Sequence, residues 1–473
     1  MDNKLKGDLL AGLPHEWPED LLPEIRRQVN LSQRKVVVLD DDPTGTQTVH
    51  GVPVLTQWPV ETLCAELEND LPALYLLTNS RSLPLAQAET MNAEIGGNLV
   101  EAAGQANRDF VVVSRSDSTL RGHFPGEVKA LAGALKQNFD AWLIIPFFLE
   151  GGRYTINDIH YVAEGDRLVP AGQTESARDA VFGYRASNLR QWVEEKMRGQ
   201  VKAEAVASIS IEDIRVGGPN GVTERLGSLA RGSICVVNSA SMRDLEVFTR
   251  GLLMAEARGQ RFLYRTAASF VQVRAGLAPR PLLTRADFDL SEPAGGLIVV
   301  GSYVPRTTSQ VNELLAQSQV ASLECRVEAL LDNSRREDEI GRLAQQVDQA
   351  LRDDRDVMVY TSRQLRSGED AETSLSIGKQ VSEALVAITR AISTRPRYLL
   401  AKGGITSSDV ATRGLDVKRA LVLGQILPGV PVWQLGEESR YPGLTYIVFP
   451  GNVGGPEALV DIVASLRRKE YIP

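Results

Sequence analysis

Three consecutive carboxylates, Asp40, Asp41 and Asp42, stand directly after an apolar run and directly before a turn. The run is Val36-Val37-Val38-Leu39, and Pro43 and Gly45 follow the acids. Acids grouped in this way can bind the hydroxyls of a polyol, hold Mg²⁺, or take a proton from a reacting group. The plainer alternative is a solvated acidic turn whose Asp and Thr cap a helix. Adjacent carboxylates repel one another unless a cation or a hydroxyl sits among them, which favours the chemical reading.

A second group lies in Ser114-Arg115-Ser116-Asp117-Ser118-Thr119-Leu120-Arg121-Gly122-His123, where two arginines, an acid and several hydroxyls crowd into ten residues. Arginine forks bind carboxylates in bidentate fashion, and Ser, Thr and Asp match the donors and acceptors of a polyol chain. A capped helix with a surface ion pair is the bland alternative. Two further segments, Asn79-Ser80-Arg81 and Gly151-Gly152-Arg153, also put an arginine just past an apolar run. Together they predict an anionic, hydroxyl-rich ligand in the first half of the chain.

The second half carries glycines instead. Gly301-Ser302-Tyr303, Lys402-Gly403-Gly404-Ile405-Thr406-Ser407-Ser408 and Pro450-Gly451-Asn452-Val453-Gly454-Gly455 each follow an apolar run. Bare backbone amides beside helix N-termini are a common way to hold phosphate. Each loop alone could be plain turn geometry. Three at successive strand ends point to a phosphate site. Neither a P-loop pattern nor a GxGxxG inside a strand–helix–strand unit is present. His15, His50, His123 and His160 lack metal-ligand spacing, with His50 and His123 read at most as site lining. There is no nucleophile elbow.

These groups need elements to position them. Short apolar runs at Leu74 to Leu77, Phe110 to Val113, Ala141 to Ile145, Ile234 to Val237 and Phe262 to Tyr264 alternate with helical patterns. That is the βαβ signature of parallel sheets. Residues 151 to 190 show little periodicity and read as a functional or wrapping segment. The pattern restarts at Leu297 to Val300 and continues through Val357 to Tyr360, Tyr398 to Leu400 and Tyr446 to Phe449. Ile377, Val381, Leu385, Ile388 and Ile392 make one helical stripe, which is core. The expected organisation is an N-terminal arm (1–33), a first α/β domain (34–275), a linker rich in Pro and Gly (276–296) and a second α/β domain (297–473).

With 473 residues, two domains are the natural expectation. A hydrophobic content of 43% and 24% charged residues are those of a soluble globular protein. The net charge of −8 argues against nucleic acid as a partner. Cys64, Cys235 and Cys325 are scattered and fit a reducing cytoplasm. The chain shows no signal-peptide core and no apolar run long enough for a membrane span, so a cytoplasmic location is expected.

The segments DDDPTG (Asp40 to Gly45), SRSDSTLRG (Ser114 to Gly122), GGRYTIND (Gly151 to Asp158), TESARD (Thr174 to Asp179), GSYVPRTTSQV, KGGITSSDVA and PGNVGG occur in this order. In this the chain resembles the four-carbon acid sugar kinase family, from about Lys35 to Leu466. The resemblance implies two three-layer α/β domains with mainly parallel sheets and an interdomain active-site cleft. A sugar acid would bind in the first domain and ATP, with Mg²⁺, in the second. It implies a catalytic acid pair at Asp41 and Asp42, with the choice of base open. Substrate contacts would fall on Arg115, Asp117, Ser118, Thr119 and Arg121, with Arg81 and Arg153 added from the strand-end pattern. Nucleotide contacts would fall on Ser302, Gly403, Gly404, Ile405, Thr406 and Gly451, with Asn452 and Gly454 in the same loop. Two departures stand out. The family commonly continues its first motif as TGA-x-D, where this chain has Thr44-Gly45-Thr46-Gln47-Thr48, which leaves the particular sugar acid open. Before the last glycine motif stand Phe449-Pro450, so Lys402 is the candidate phosphate cation. The resulting expectation is an ATP-dependent kinase acting on a threonate, erythronate or oxo-tetronate-like acid. The alternatives are a kinase for another small hydroxy acid and a nucleotide-responsive sugar-acid sensor without turnover. Metal ligands are not assigned, and a homodimer is left open.

Overall fold

Val36 to Leu39 bury almost completely, with exposures from 0% to 3%, because the strand Lys35–Asp40 has a neighbour on each side and layers on both faces. Runs of this kind are what parallel sheets select. The computed structural model describes residues 4–317, 319–363 and 371–467. They fall into two compact units, one of residues 1–52 and 57–279, the other of residues 53–56 and 280–473.

In the first unit the strands Ala207–Ile209, Ser233–Val237, Ala141–Ile145, Phe262–Thr266, Phe110–Arg115, Lys35–Asp40 and Ala73–Leu77 lie side by side in that order, all parallel. Helices such as Leu85–Ala106 and Met242–Ala257 make the crossovers. Met242–Ala257 begins with a capping box, in which the Ser241 hydroxyl takes the Asp244 amide and Asp244 takes the Ser241 amide. A separate antiparallel sheet joins Lys4–Leu5, Arg167–Pro170, Ile159–Glu164 and Arg153–Ile156. The first half of the segment with little sequence periodicity is therefore strand, and its second half holds short 3-10 turns. Its strands are only four to six residues long and are interrupted by Asn157-Asp158 and Gly165-Asp166 turns. Within residues 4–33, Lys4 and Leu5 pair with Leu168 and Arg167, and the helix Leu22–Ser32 buries Ile25 and Val29.

In the second unit the order is Arg419–Leu427, Val430–Leu435, Thr445–Phe449, Tyr398–Lys402, Leu297–Val300, Val357–Thr361 and Ala321–Cys325. The last five strands are parallel, and the first two form an antiparallel hairpin joined to Thr445–Phe449. Ile298, Val300, Leu400, Ile447 and Phe449 meet Leu459, Ile462 and Val463 of the final helix in one core. On the helix Ala371–Ala391 and just beyond it, Leu385, Ile388 and Ile392 are buried as the stripe requires. Residues 53–56 belong here because Thr56 gives its amide to the Lys418 carbonyl at 3.0 Å and its hydroxyl to the Val417 carbonyl at 2.6 Å.

Candidate active site

From the strand Lys35–Asp40 the chain crosses to Ala73–Leu77 on one side, then returns to Phe110–Arg115 on the other. Ligands of open α/β sheets sit in the crevice outside the carboxyl ends at such a reversal. Asp40 and Arg115 are register partners at the ends of the two strands, so both clusters singled out in the sequence meet at this point.

The three acids do three different things. Asp40 is 1% exposed and takes Arg115 Nη1 at 3.3 Å. Gly45 is required beside it, since a Cβ there would fall 1.8 Å from Asp40 Oδ2. Burial outweighs Arg115 and pushes the Asp40 carboxyl up to about 7. Mutual repulsion contributes to that rise only after burial. Asp42 goes the other way. Burial would raise it, but the Arg81 guanidinium and the Thr44 hydroxyl and amide prevail, and its carboxyl is held below the usual range. Asp41 accepts the Ser116 hydroxyl at Oδ2, 2.6 Å away. Its Oδ1 is buried and has no hydrogen-bond partner, with Arg81 Nη2 at 3.9 Å.

Asp117 gathers the cations. Arg81 Nη1 lies 3.3 Å from it, Arg121 Nε donates at 2.8 Å, and the Thr119 hydroxyl donates as well. Burial opposes ionisation there, yet the two guanidiniums hold the carboxyl far below the usual range. Arg121 also faces Asp179 of the TESARD segment at 3.7 Å. Arg153 Nε is buried without a partner, and so is Arg115 Nε. The loop that carries these groups is held from the small antiparallel sheet and the segment after it. His160 Nε2 donates to the Ser118 carbonyl at 2.7 Å, and its Nδ1 accepts the Thr155 hydroxyl at 3.0 Å. Burial lowers His160 to about 4, so the imidazole is neutral. Tyr184 donates to the Thr119 carbonyl at 2.6 Å. Ser118 and Thr119 therefore offer their backbone to the scaffold, with Thr119 also bound to Asp117.

Sequence reasoning missed Asp40 as a paired acid, along with Ser116, His160, Tyr184 and Arg265. Arg265 could have been found, since it follows the apolar run Phe262 to Tyr264 just as Arg115 ends its own strand. His160 and Tyr184 carry no sequence signal of their role, which is to hold carbonyls distant in the chain.

In the second unit the reversal lies between Leu297–Val300 and Tyr398–Lys402. Three glycine loops converge on Ser302. A Cβ on Gly403 would lie 3.0 Å from Ser302 Cβ, and one on Gly451 would lie 3.0 Å from Ser302 Oγ. Gly403 also has φ +118°, which disfavours any side chain. The Ser302 hydroxyl lies 3.1 Å from that of Thr307, which donates to the Gly451 carbonyl at 3.0 Å. Gln310 binds the Val453 and Gly455 carbonyls at 2.9 and 2.8 Å. Thr406 is buried beside Gly301, while Ile405 is 61% exposed. Gly404 opens the short helix Gly404–Asp409. Asn452 and Gly454 present their carbonyls to Arg306 at 3.3 and 3.4 Å. Arg306, Ser309, Leu427, Pro428 and Gly454 to Pro456 line an open cavity of about 620 Å³.

Lys402 does not serve as the phosphate cation expected from the sequence. It is 0% exposed, its Nζ donates to the Pro450 carbonyl at 2.7 Å and sits over the Phe449 ring, and burial lowers it to about 6. Among the described residues, the cations at these loops are Arg306, which is exposed, and Arg363, whose Nη1 donates to the Ser302 carbonyl at 2.7 Å.

Among the described residues, no three His, Cys, Asp or Glu side chains are arranged to hold a metal ion. Among the described residues no helix is long and apolar enough to cross a membrane.

The α/β chain thus carries an arginine–carboxylate cluster in one unit and three glycine loops in the other. The chain belongs to the four-carbon acid sugar kinase family: residues 36–274 match its sugar-binding N-terminal domain and residues 297–459 its nucleotide-binding C-terminal domain. It is 24% identical over 414 residues to a D-erythronate kinase of Heliobacterium modesticaldum, covering 84% of this chain and 87% of that protein. It is 25% identical over 412 residues to a 3-oxo-tetronate kinase of Cupriavidus necator, covering 83% and 87%. Among solved structures, a Salmonella typhimurium LT2 protein matches with TM-score 0.64 and 17% identity over 90% of this chain and 98% of its own. A Haemophilus influenzae protein matches with TM-score 0.61 and 20% identity, over 91% and 100%. These two share the fold.

Proposed function

We propose that the protein is an ATP-dependent kinase that phosphorylates a hydroxyl of a small, four-carbon sugar acid. The kinase relatives support the reaction class. One observation of this chain carries the chemistry: Asp41 Oδ1 is buried and unpartnered in a site crowded with guanidiniums. An orphaned buried carboxylate oxygen costs free energy unless a ligand hydroxyl completes it.

In this reading Arg121 and Arg153 bind the substrate carboxylate, and Arg81 holds Asp42 and Asp117 in register. Asp41 orients the acceptor hydroxyl and takes its proton at Oδ1. The hydroxyl oxygen forms a bond to the γ-phosphorus as the bond from that phosphorus to the β–γ bridging oxygen breaks, leaving ADP and the phosphorylated acid. The amides of the Gly403 and Gly451 loops and the Ser302 hydroxyl bind the phosphates. Mg²⁺ bound with ATP would supply further neutralisation of their charge.

The test is ADP release across the erythronates, threonates and oxo-tetronates, with erythritol as the neutral control. Turnover with an acid and none with erythritol is the expected result. Binding of ATP and an acid without any ADP release would replace the kinase by a sensor. Turnover confined to hydroxy acids of another length would keep the kinase and discard the four-carbon substrate.

A further inference from the structure

Arg265 is a buried cation that feels the carboxylates of Asp41, Asp117 and Glu127 without pairing directly with any of them. It lies on the strand Phe262–Thr266, is 2% exposed, and has its guanidinium 5.1 Å from the centre of the Trp192 ring. Its Nη2 donates to the Ser116 hydroxyl at 3.3 Å and to the Arg121 carbonyl at 2.9 Å, while Nη1 is buried with no partner. Among the described residues it forms no ion pair with a carboxylate. A buried guanidinium left in that state is costly, so a compensating role is expected.

The role is visible one bond further on. Ser116 has a single hydroxyl proton and two acceptors to choose between: Asp41 Oδ2 at 2.6 Å and the Arg121 carbonyl at 3.2 Å. Arg265 already donates to that carbonyl and also into a lone pair of the Ser116 oxygen. With one lone pair of that carbonyl taken and the carboxylate the nearer acceptor, the proton goes to Asp41 Oδ2. Gly122 makes room for the bridge, since a Cβ there would stand 2.7 Å from Ser116 Oγ and 3.2 Å from Asp41 Oδ2.

We infer that Arg265 is a positioning residue that acts through Ser116 to fix the Asp41 carboxylate with Oδ2 occupied and Oδ1 presented to the acceptor hydroxyl. The inference rests on the proposed role of Asp41 as the group that takes the proton. It assigns Arg265 no contact with substrate.

The test is steady-state kinetics of Ser116→Ala, Arg265→Met and Asp41→Asn, with each of the first two also made in the Asp41→Asn background. Ser116→Ala should lower kcat by about ten- to a hundredfold while the KM values for acid and ATP stay within about threefold. Residues that act only through Asp41 have nothing left to do once it is Asn, so each double variant should match Asp41→Asn alone within about threefold. A role confined to holding the loop would instead raise the acid KM and multiply with the Asp41→Asn loss. Wild-type kcat in Ser116→Ala, or full multiplication in the double variants, overturns the inference while Asp41 stands. An Asp41→Asn enzyme as active as wild type overturns the reading beneath it and the inference together. If Arg265→Met fails to fold, Arg265→Lys, which keeps the charge but not both bonds of the Nη2 fork, takes its place with the same expected kcat loss and the same overturning result.

Discussion

Asp40 and Arg115, register partners on adjacent parallel strands, form a buried pair 3.3 Å apart at the end of the first unit's sheet. The pair is not at rest in its charged form. Burial raises Asp40 to about 7 despite Arg115. The folded chain then holds a proton on Asp40 at pH values where the unfolded chain, with an ordinary Asp near 3.9, has lost it. Between those two values the native state binds more protons, so this group's contribution to stability falls as pH rises through 7.

Asp40→Asn should therefore flatten the stability profile between about pH 4.5 and 7.5, by on the order of a few kcal/mol across that window. Urea unfolding of both proteins at several pH values reads this directly. A wild-type profile parallel to that of Asp40→Asn would show that Asp40 does not titrate there.

Lys402 gives the mirror case. Burial depresses it to about 6, so from there to its unfolded value near 10.4 the unfolded chain binds the extra proton. Stability from this group rises with pH over that range. Lys402→Met should therefore have a higher Tm than wild type at pH 7, with the gap narrowing towards pH 9.5. A gap that stays flat between pH 7 and 9.5 would mean that the ammonium stays charged in the fold.

How far the sequence reached can be judged from the same residues. Val36 to Leu39 were legible as a buried strand because the run is short, apolar and bounded by turn residues. The arginines after apolar runs were legible because strand ends of parallel sheets collect ligand-facing groups. The strands between Arg153 and Pro170 were not, because each is too short to show its period between turns. Arg265 follows an apolar run as the other arginines do, but that it shares a site with Arg115 shows only in the pairing of Phe262–Thr266 with Phe110–Arg115. Lys402 was misread because nothing in Lys402-Gly403-Gly404 shows that the side chain turns inward to the Pro450 carbonyl. Spacing finds the strand end, but which side of it a side chain takes depends on packing.

Gly451 tests the phosphate loops without disturbing the backbone, since it does not sit at positive φ. A methyl group there would lie 3.0 Å from Ser302 Oγ and displace the hydroxyl. Gly451→Ala should raise the KM for ATP by about tenfold and leave that for the acid within about twofold. Equal damage to both constants in a folded enzyme would count against separate binding of the two substrates.

Arg121 is the most exposed of the guanidiniums in the Asp117 cluster, with 34% of its side chain accessible against 17% for Arg81. It is the arm best able to reach a ligand while keeping Asp117. Arg121→Lys preserves charge but loses the planar fork, so kcat/KM should fall by about ten- to a hundredfold, or about 1.4–3 kcal/mol. Erythritol should be as poor a substrate for the variant as for the wild type. Unchanged selectivity for acid over alcohol in the variant would remove Arg121 from carboxylate recognition.

The last expectation separates two neighbouring acids that the sequence left equivalent. Asp42 is fully engaged: Oδ2 takes Arg81, Oδ1 takes the Thr44 amide at 2.8 Å and also its hydroxyl, and Arg81 keeps the carboxyl ionised despite burial. A carboxylate so well satisfied is a weak base and a good anchor. Asp41 has one oxygen tied to Ser116 and the other unpartnered, which is the arrangement a general base requires before substrate arrives. Asp41→Asn should therefore lower kcat by about 10²- to 10⁴-fold with little change in ATP binding. Asp42→Asn frees Arg81 and should act mainly on the acid, raising its KM by about tenfold with kcat within about tenfold of wild type. Measuring kcat and both KM values for the two isosteric variants decides the assignment. A larger kcat loss in Asp42→Asn would exchange the roles, and near-wild-type turnover in both would remove the carboxylate base from the mechanism.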